Sequence, residues 1–166
     1  MKSLKSLVCA TSFALCFGAA SMASAATIGP VGATFSTPGG TITVKSPSSA
    51  QFPVTCSINF TGVVNTNGTV TINGATVGGT NPLCGLPKMK GFPSPGWVLT
   101  ANSASTGTVS GVGYTIDSAI DTDCGPSTIQ VGWNGTTITA SNQALTPNCT
   151  VTNLSVTPNT TLVITP

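Results

Sequence analysis

Asn67-Gly68-Thr69-Val70-Thr71-Ile72 returns further along the chain as Asn134-Gly135-Thr136-Thr137-Ile138-Thr139. In each copy a turn signal is followed by strand formers. Asn-Gly is the strongest short hairpin signal, because a type I′ turn needs φ > 0 at both central residues. Thr, Val and Ile favour a pleated, half-buried surface. Both stretches therefore predict β-hairpins. Upstream, Gly40-Thr41-Ile42 matches Gly107-Thr108-Val109, and a cysteine follows each at nearly equal distance, Cys56 and Cys124. Downstream, Asn81-Pro82-Leu83-Cys84 matches Pro147-Asn148-Cys149. Four landmarks in one order at an offset of 65–68 residues imply an internal duplication, over about 40–100 and 107–166.

The same rhythm extends outward. Thr41–Lys45, Val54–Thr61, Thr69–Asn73, Trp97–Ala101, Thr128–Trp133, Thr136–Ala140 and Thr150–Val156 alternate or cluster strand formers and predict strands. Gly39-Gly40, Gly78-Gly79 and Pro95-Gly96 mark further turns or bulges. After the N-terminal segment no stretch carries a helical period. The fold class is all-β, an antiparallel sandwich or barrel. Phe35, Phe60, Tyr114 and Trp133 are the expected core anchors.

The N-terminus reads as a secretory signal peptide. Lys2 and Lys5 form a charged start, an apolar stretch runs from about Leu7 to Ala20, and Ala23-Ser24-Ala25 makes an A-x-A cleavage site. The apolar run falls short of the about 20 residues a membrane span needs. Residues 1–25 are therefore expected to be removed, leaving 26–166 as a single secreted domain, with the periplasm or cell surface as alternative destinations. No later segment is apolar enough to be a transmembrane helix.

Charge excludes several functions. Beyond the signal the ionic side chains are Lys45, Lys88, Lys90, Asp117, Asp121 and Asp123, which sum to zero, and the chain has no His, Arg or Glu. Nucleic-acid binding needs clustered Lys and Arg, so no nucleic-acid partner is expected. Near-zero charge also removes a barrier to self-association. With no His or Glu, general acid–base chemistry would fall to three Asp and three Lys; no catalytic residue and no cofactor is assigned. Asp117, Asp121 and Asp123 lie close together but lack a calcium-loop pattern, and read as a solvated loop ahead of Cys124. No metal site is expected.

Two of the six cysteines, Cys9 and Cys16, leave with the signal; Cys56, Cys84, Cys124 and Cys149 remain. An even count after an export signal reads as disulfides. Four cysteines allow three pairings, and the duplication selects one: each half closes its own bridge, Cys56–Cys84 and Cys124–Cys149. Loop closure would give about 3.5 kcal/mol per bridge.

One segment breaks the strand rhythm. Residues 81–97, Asn-Pro-Leu-Cys-Gly-Leu-Pro-Lys-Met-Lys-Gly-Phe-Pro-Ser-Pro-Gly-Trp, are too rich in proline for a central strand. Leu86, Met89, Phe92 and Trp97 beside two lysines are candidates for an exposed apolar patch that meets a hydrophobic interface. The alternative is that they fold inward and cap the core, Trp97 first among them.

These residues also carry a resemblance. Met1-Lys2-Ser3-Leu4-Lys5, Val54-Thr55-Cys56 leading into Phe60-Thr61-Gly62, Leu83-Cys84-Gly85-Leu86-Pro87, Trp97-Val98-Leu99-Thr100, Gly111-Val112-Gly113-Tyr114, Cys124-Gly125-Pro126-Ser127 and Leu154-Ser155-Val156-Thr157-Pro158 occur in order over nearly the whole chain. In them the chain resembles the Pra-type protein activators of alkane oxidation. The resemblance implies an extracellular, non-enzymatic protein that helps cells use long-chain alkanes by emulsification, with a hydrocarbon interface as its partner. The alternative function is a structural or adhesive component of the cell surface or a biofilm matrix.

Overall fold

The computed structural model describes residues 26–166, so the signal-peptide reading of residues 1–25, with Cys9 and Cys16, lies outside the described residues. In chain order the strands are β1 (Thr27–Gly29), β2 (Thr34–Ser36), β3 (Gly40–Lys45), β4 (Val54–Val64), β5 (Val70–Gly78), β6 (Lys88–Met89), β7 (Trp97–Ala101), β8 (Thr106–Ile116), β9 (Thr122–Trp133), β10 (Ile138–Leu145), β11 (Cys149–Val156) and β12 (Val163–Thr165). Short 3₁₀ turns occupy Pro47–Ser49 and Pro82–Gly85.

Eight strands close an antiparallel barrel in the order β3, β4, β5, β7, β8, β9, β10, β11, with β11 returning to β3 through pairs such as Ser155 with Thr41. Neighbours in the barrel are neighbours in sequence, so the path is an up-and-down meander, the barrel alternative of the two predicted. β2 continues β3 along the same edge of β4, and β6 continues β7 along the same edge of β8. A two-stranded ribbon of β1 and β12 covers one end, where Ile28 accompanies Leu162 and Ile164 over Leu99 and Val131.

Period-two alternation explains the wall. On β4, Val54, Cys56, Ile58 and Phe60 are buried, while Thr55, Ser57 and Thr61 are exposed. The outward face is thus hydroxyl-rich, the reverse of the apolar band a lipid-facing barrel carries. Among the described residues no helix is long and apolar enough to cross a membrane. The core joins Phe35, Phe60, Trp97, Tyr114, Leu145 and Leu154 with the inward Val and Ile of every long strand. Of the four expected anchors, Phe35, Phe60 and Tyr114 are buried; Trp133 is only half-buried, because it stands at the end of β9 on the rim under the ribbon.

The Asn-Gly turns do join β4 to β5 and β9 to β10, but not as type I′ turns. Only the glycines, Gly68 and Gly135, have positive φ (76° and 98°). In the first, the Gly68 N–H donates to Asn65 O and the Asn65 N–H to Thr69 O, a three-residue loop ending in a left-handed glycine. The asparagines act through their side chains: Asn67 Oδ1 accepts from the Thr69 N–H, and Asn134 Oδ1 from the Thr136 and Thr137 N–H groups. Such Asx turns hold the asparagine backbone outside the positive-φ region.

Candidate functional site

The β3–β4, β5–β7, β8–β9 and β10–β11 connections lie at the barrel end opposite the ribbon, and so does every charged side chain of the described residues. Lys45 ends β3, Lys88 and Lys90 flank Met89, and the three aspartates bracket the β8–β9 loop. Lys88 pairs with Asp117 at 2.6 Å and Lys90 with Asp123. Both partners of the first pair are largely exposed, so it contributes little stability; hydrogen bonding to Asp117 holds the Lys88 ammonium above its ordinary pKa. Asp121 instead accepts from the Ser118 N–H. The three carboxylates are thus engaged separately, and no group of metal-ligating side chains occurs among the described residues.

Both disulfides sit inside this mouth. Cys56 on β4 bonds Cys84 in the 81–97 loop, and Cys124 on β9 bonds Cys149 at the start of β11. These are the pairings the duplication selects. All four cysteines are buried. Two disulfides fit an oxidising, extracytoplasmic environment.

The 81–97 loop lies across the mouth and fills a gap in the wall. β5 pairs with β7 only over Val70–Ile72, so the lower half of β5 has no strand on that edge. The loop takes the space, pinned by Cys84, by β6 on β8, and by Lys90, whose Nζ donates to Gly125 O and whose N–H donates to Gly113 O. Proline content kept β6 to two residues, consistent with a loop that cannot carry a central strand.

Its four apolar candidates separate. Leu86 is 40% exposed. Met89 is half-buried against the core. Phe92 is half-buried and stacks on Trp97, ring centroids 4.8 Å apart. Trp97 is 5% exposed, touches Phe60 and donates its Nε1–H to Lys90 O at 2.8 Å. Of the two readings offered for these four side chains, Met89, Phe92 and Trp97 follow the inward one and cap the core, because the gap beside β5 leaves apolar surface that this loop covers, and Leu86 is the exposed one of the four.

Two exposed apolar side chains at this mouth escaped the sequence reading. Phe52 is 71% exposed in the β3–β4 turn and Ile120 57% exposed in the β8–β9 loop. The two loops touch, since Ser48 Oγ donates to Ile120 O and the Ser48 N–H to Thr122 Oγ1. The signal was available: each is a lone large apolar residue in an otherwise polar turn.

Tyr114 stands behind the mouth, 6% exposed, its hydroxyl without a hydrogen-bond partner. Burial pushes its phenol above the ordinary value; the nearby Ser46 hydroxyl opposes this but is not placed for a normal hydrogen bond.

Fold and site together define a small disulfide-clamped β-barrel with an uncharged, ribbon-covered end and a charged, apolar-studded mouth. The family model of the alkane oxidation protein activators, PraA/PraB-like, matches residues 1–166, and the chain belongs to that family. No curated protein and no solved structure matches it.

Proposed function

We propose that this chain is an exported, non-enzymatic member of its family that promotes hydrocarbon use physically, adsorbing at the oil–water interface through the charged mouth and dispersing the oil. The observation that carries the reading is that three of the five large apolar side chains exposed among the described residues, Phe52, Leu86 and Ile120, stand around the disulfide-clamped rim that holds the charges, whereas Val31 and Val163 stand at the uncharged, ribbon-covered end. Apolar side chains enter the oil while Lys88, Asp117 and Asp121 stay hydrated, and the covalent clamps resist unfolding at the surface. Ion pairing of Lys88 and Lys90 with aspartates supports a role without acid–base chemistry.

The test is emulsification of hexadecane by purified, disulfide-intact protein. A Phe52→Ser/Leu86→Ser/Ile120→Ser variant with an unchanged circular dichroism spectrum is expected to lose most of the emulsion; an undiminished emulsion sinks the reading. The alternative, an adhesive matrix subunit, draws on the near-zero charge, but a closed barrel offers few free edges for strand-by-strand polymerisation. Sedimentation of the purified protein distinguishes them: large polymers favour the matrix role.

A further inference from the structure

Three apolar cavities follow one another along the barrel axis. The lowest, about 50 Å³, is lined near the mouth by Met89, Tyr114, Val44 and Leu145. The middle one, about 40 Å³, shares Phe60, Trp97, Val112, Ile129 and Leu154 with it. The uppermost, about 20 Å³, shares Leu99, Val131 and Ile138 with the middle one and ends beneath the ribbon. A water needs about 10–15 Å³ on such a measure. Their walls are apolar, and apolar cavities stay dry. Packed interiors hold few voids of this size; here three stand in file.

The file has a side port. Where β5 lacks a partner, a surface cleft of about 360 Å³ opens between its lower half and the 81–97 loop, bordered by Ala75, Val77, Pro87, Met89 and Phe92. Val77, Pro87 and Met89 line both the cleft and the lowest cavity, so they form the partition between them. Met89 is the adaptable member, unbranched and with three rotatable bonds, on a strand of only two residues.

We propose that the barrel interior binds a single unbranched hydrocarbon chain, admitted through this cleft past Met89. The inference rests on the hydrocarbon reading above and adds a site inside the molecule, separate from the exposed rim. A long chain needs more room than the present cavities provide; Met89, which lines both the lowest cavity and the cleft, supplies it by swinging outward. The cavities present no cationic partner, and the Tyr114 hydroxyl beside the lowest one is neutral, so a carboxylate would be buried without a counter-charge at high cost. The narrow file also penalises branching, as overpacking penalises any added methyl group.

The probes are n-octane, its branched isomer isooctane, and octanoate, added to disulfide-intact protein and read by Trp97 fluorescence in a Trp133→Phe background. Saturable one-to-one binding of n-octane is expected, with isooctane and octanoate weaker by about tenfold or more. Val112→Phe, which fills the junction of the lower cavities, is expected to raise the octane Kd by about tenfold or more while emulsification persists. Ile129→Phe fills the same junction and serves if Val112→Phe does not fold. Ala75→Phe in the cleft is expected to slow association and release together with Kd nearly unchanged. Absence of saturable octane binding, equal binding of isooctane, or octane binding unchanged in the filled variant overturns the proposal. Emulsification lost through the rim variant with octane binding intact separates the two sites, and octane binding with no emulsification by the parent protein overturns the interface reading alone.

Discussion

The halves β3–β7 and β8–β11 carry the same run of turns and the same cysteine at the mouth end of their second long strand, Cys56 on β4 and Cys124 on β9. They part company after the third strand. In the second half β10 turns tightly into β11, and Cys149 stands on that strand. In the first half the chain leaves the wall at Gly78, wanders through the 81–97 loop, and returns only at Trp97, with Cys84 off the barrel. Each half also has one interrupted ladder. Between β9 and β10 only Ile138–Trp133 and Thr139–Gly132 pair, yet the gap is laced by Gln143 Oε1 accepting from the Gln130 N–H and by Thr146 O accepting from the Gly125 N–H. Between β5 and β6 nothing comparable bridges, and the cleft opens there. The same order of landmarks thus accompanies a sealed half and an openable half, the difference lying in where the fourth landmark cysteine falls.

The largest expected effect tests how much the loop's inward cap matters. Trp97→Ala removes the side chain that joins Phe60 to Phe92, and should cost about 3–5 kcal/mol in urea unfolding; a loss under about 1 kcal/mol would mean that the loop is not part of the core.

Next come the bridges. Their sequence separations, 28 and 25, are close, so Cys56→Ser/Cys84→Ser and Cys124→Ser/Cys149→Ser should each lose about 3.5 kcal/mol by loop entropy. Hydrogen exchange should tell them apart, since only the first pair releases residues 81–97. Equal exchange in that loop would break the contrast between sealed and openable halves.

Gly40 and Gly107 probe the equivalence itself. A Cβ on either would lie 2.6 Å from a backbone carbonyl oxygen, Ile58 O and Thr100 O respectively. Gly40 would also meet Val156 Cγ1 at 2.7 Å, so alanine at each should cost about 1–3 kcal/mol, more at Gly40 than at Gly107; a silent substitution at either would refute the structural match.

The smallest effect concerns Tyr114, the chain's single tyrosine. Its phenol is raised by burial, so above its ordinary value the unfolded state loses the proton while the folded state keeps it. The unfolded state then binds fewer protons, and stability falls as pH rises from about 10 through the folded pKa. Tyrosinate absorbance should appear late in the folded protein, and Tyr114→Phe should remove this part of the alkaline decline.

Much of this architecture was legible. β7 begins and ends where the strand formers do, and β3, β4 and β11 differ from expectation only at their ends. β8 was not legible as a strand. Gly107, Gly111 and Gly113 dilute its strand propensity, and register shifts on both sides of Val112 break the alternation, so Val112, Gly113 and Tyr114 are buried in succession. β1, β2 and β12 are three residues each, too short for any period to show. The cysteine pairs were readable because matching landmarks recur in the same order around them. The rim was not, because whether Leu86 or Phe92 meets solvent depends on the gap beside β5, a property of strand pairing across the barrel, and the exposure of Phe52 on how its turn meets the β8–β9 loop.

The closure of β11 on β3 and the ribbon of β1 with β12 bring together residues such as Thr27 and Thr165. Contacts so distant along the chain place this protein among slow, high-contact-order folders, with expected times of milliseconds to seconds. Neither seal can form until the far end of the chain is available. Until then the inner faces of the strands remain open to water.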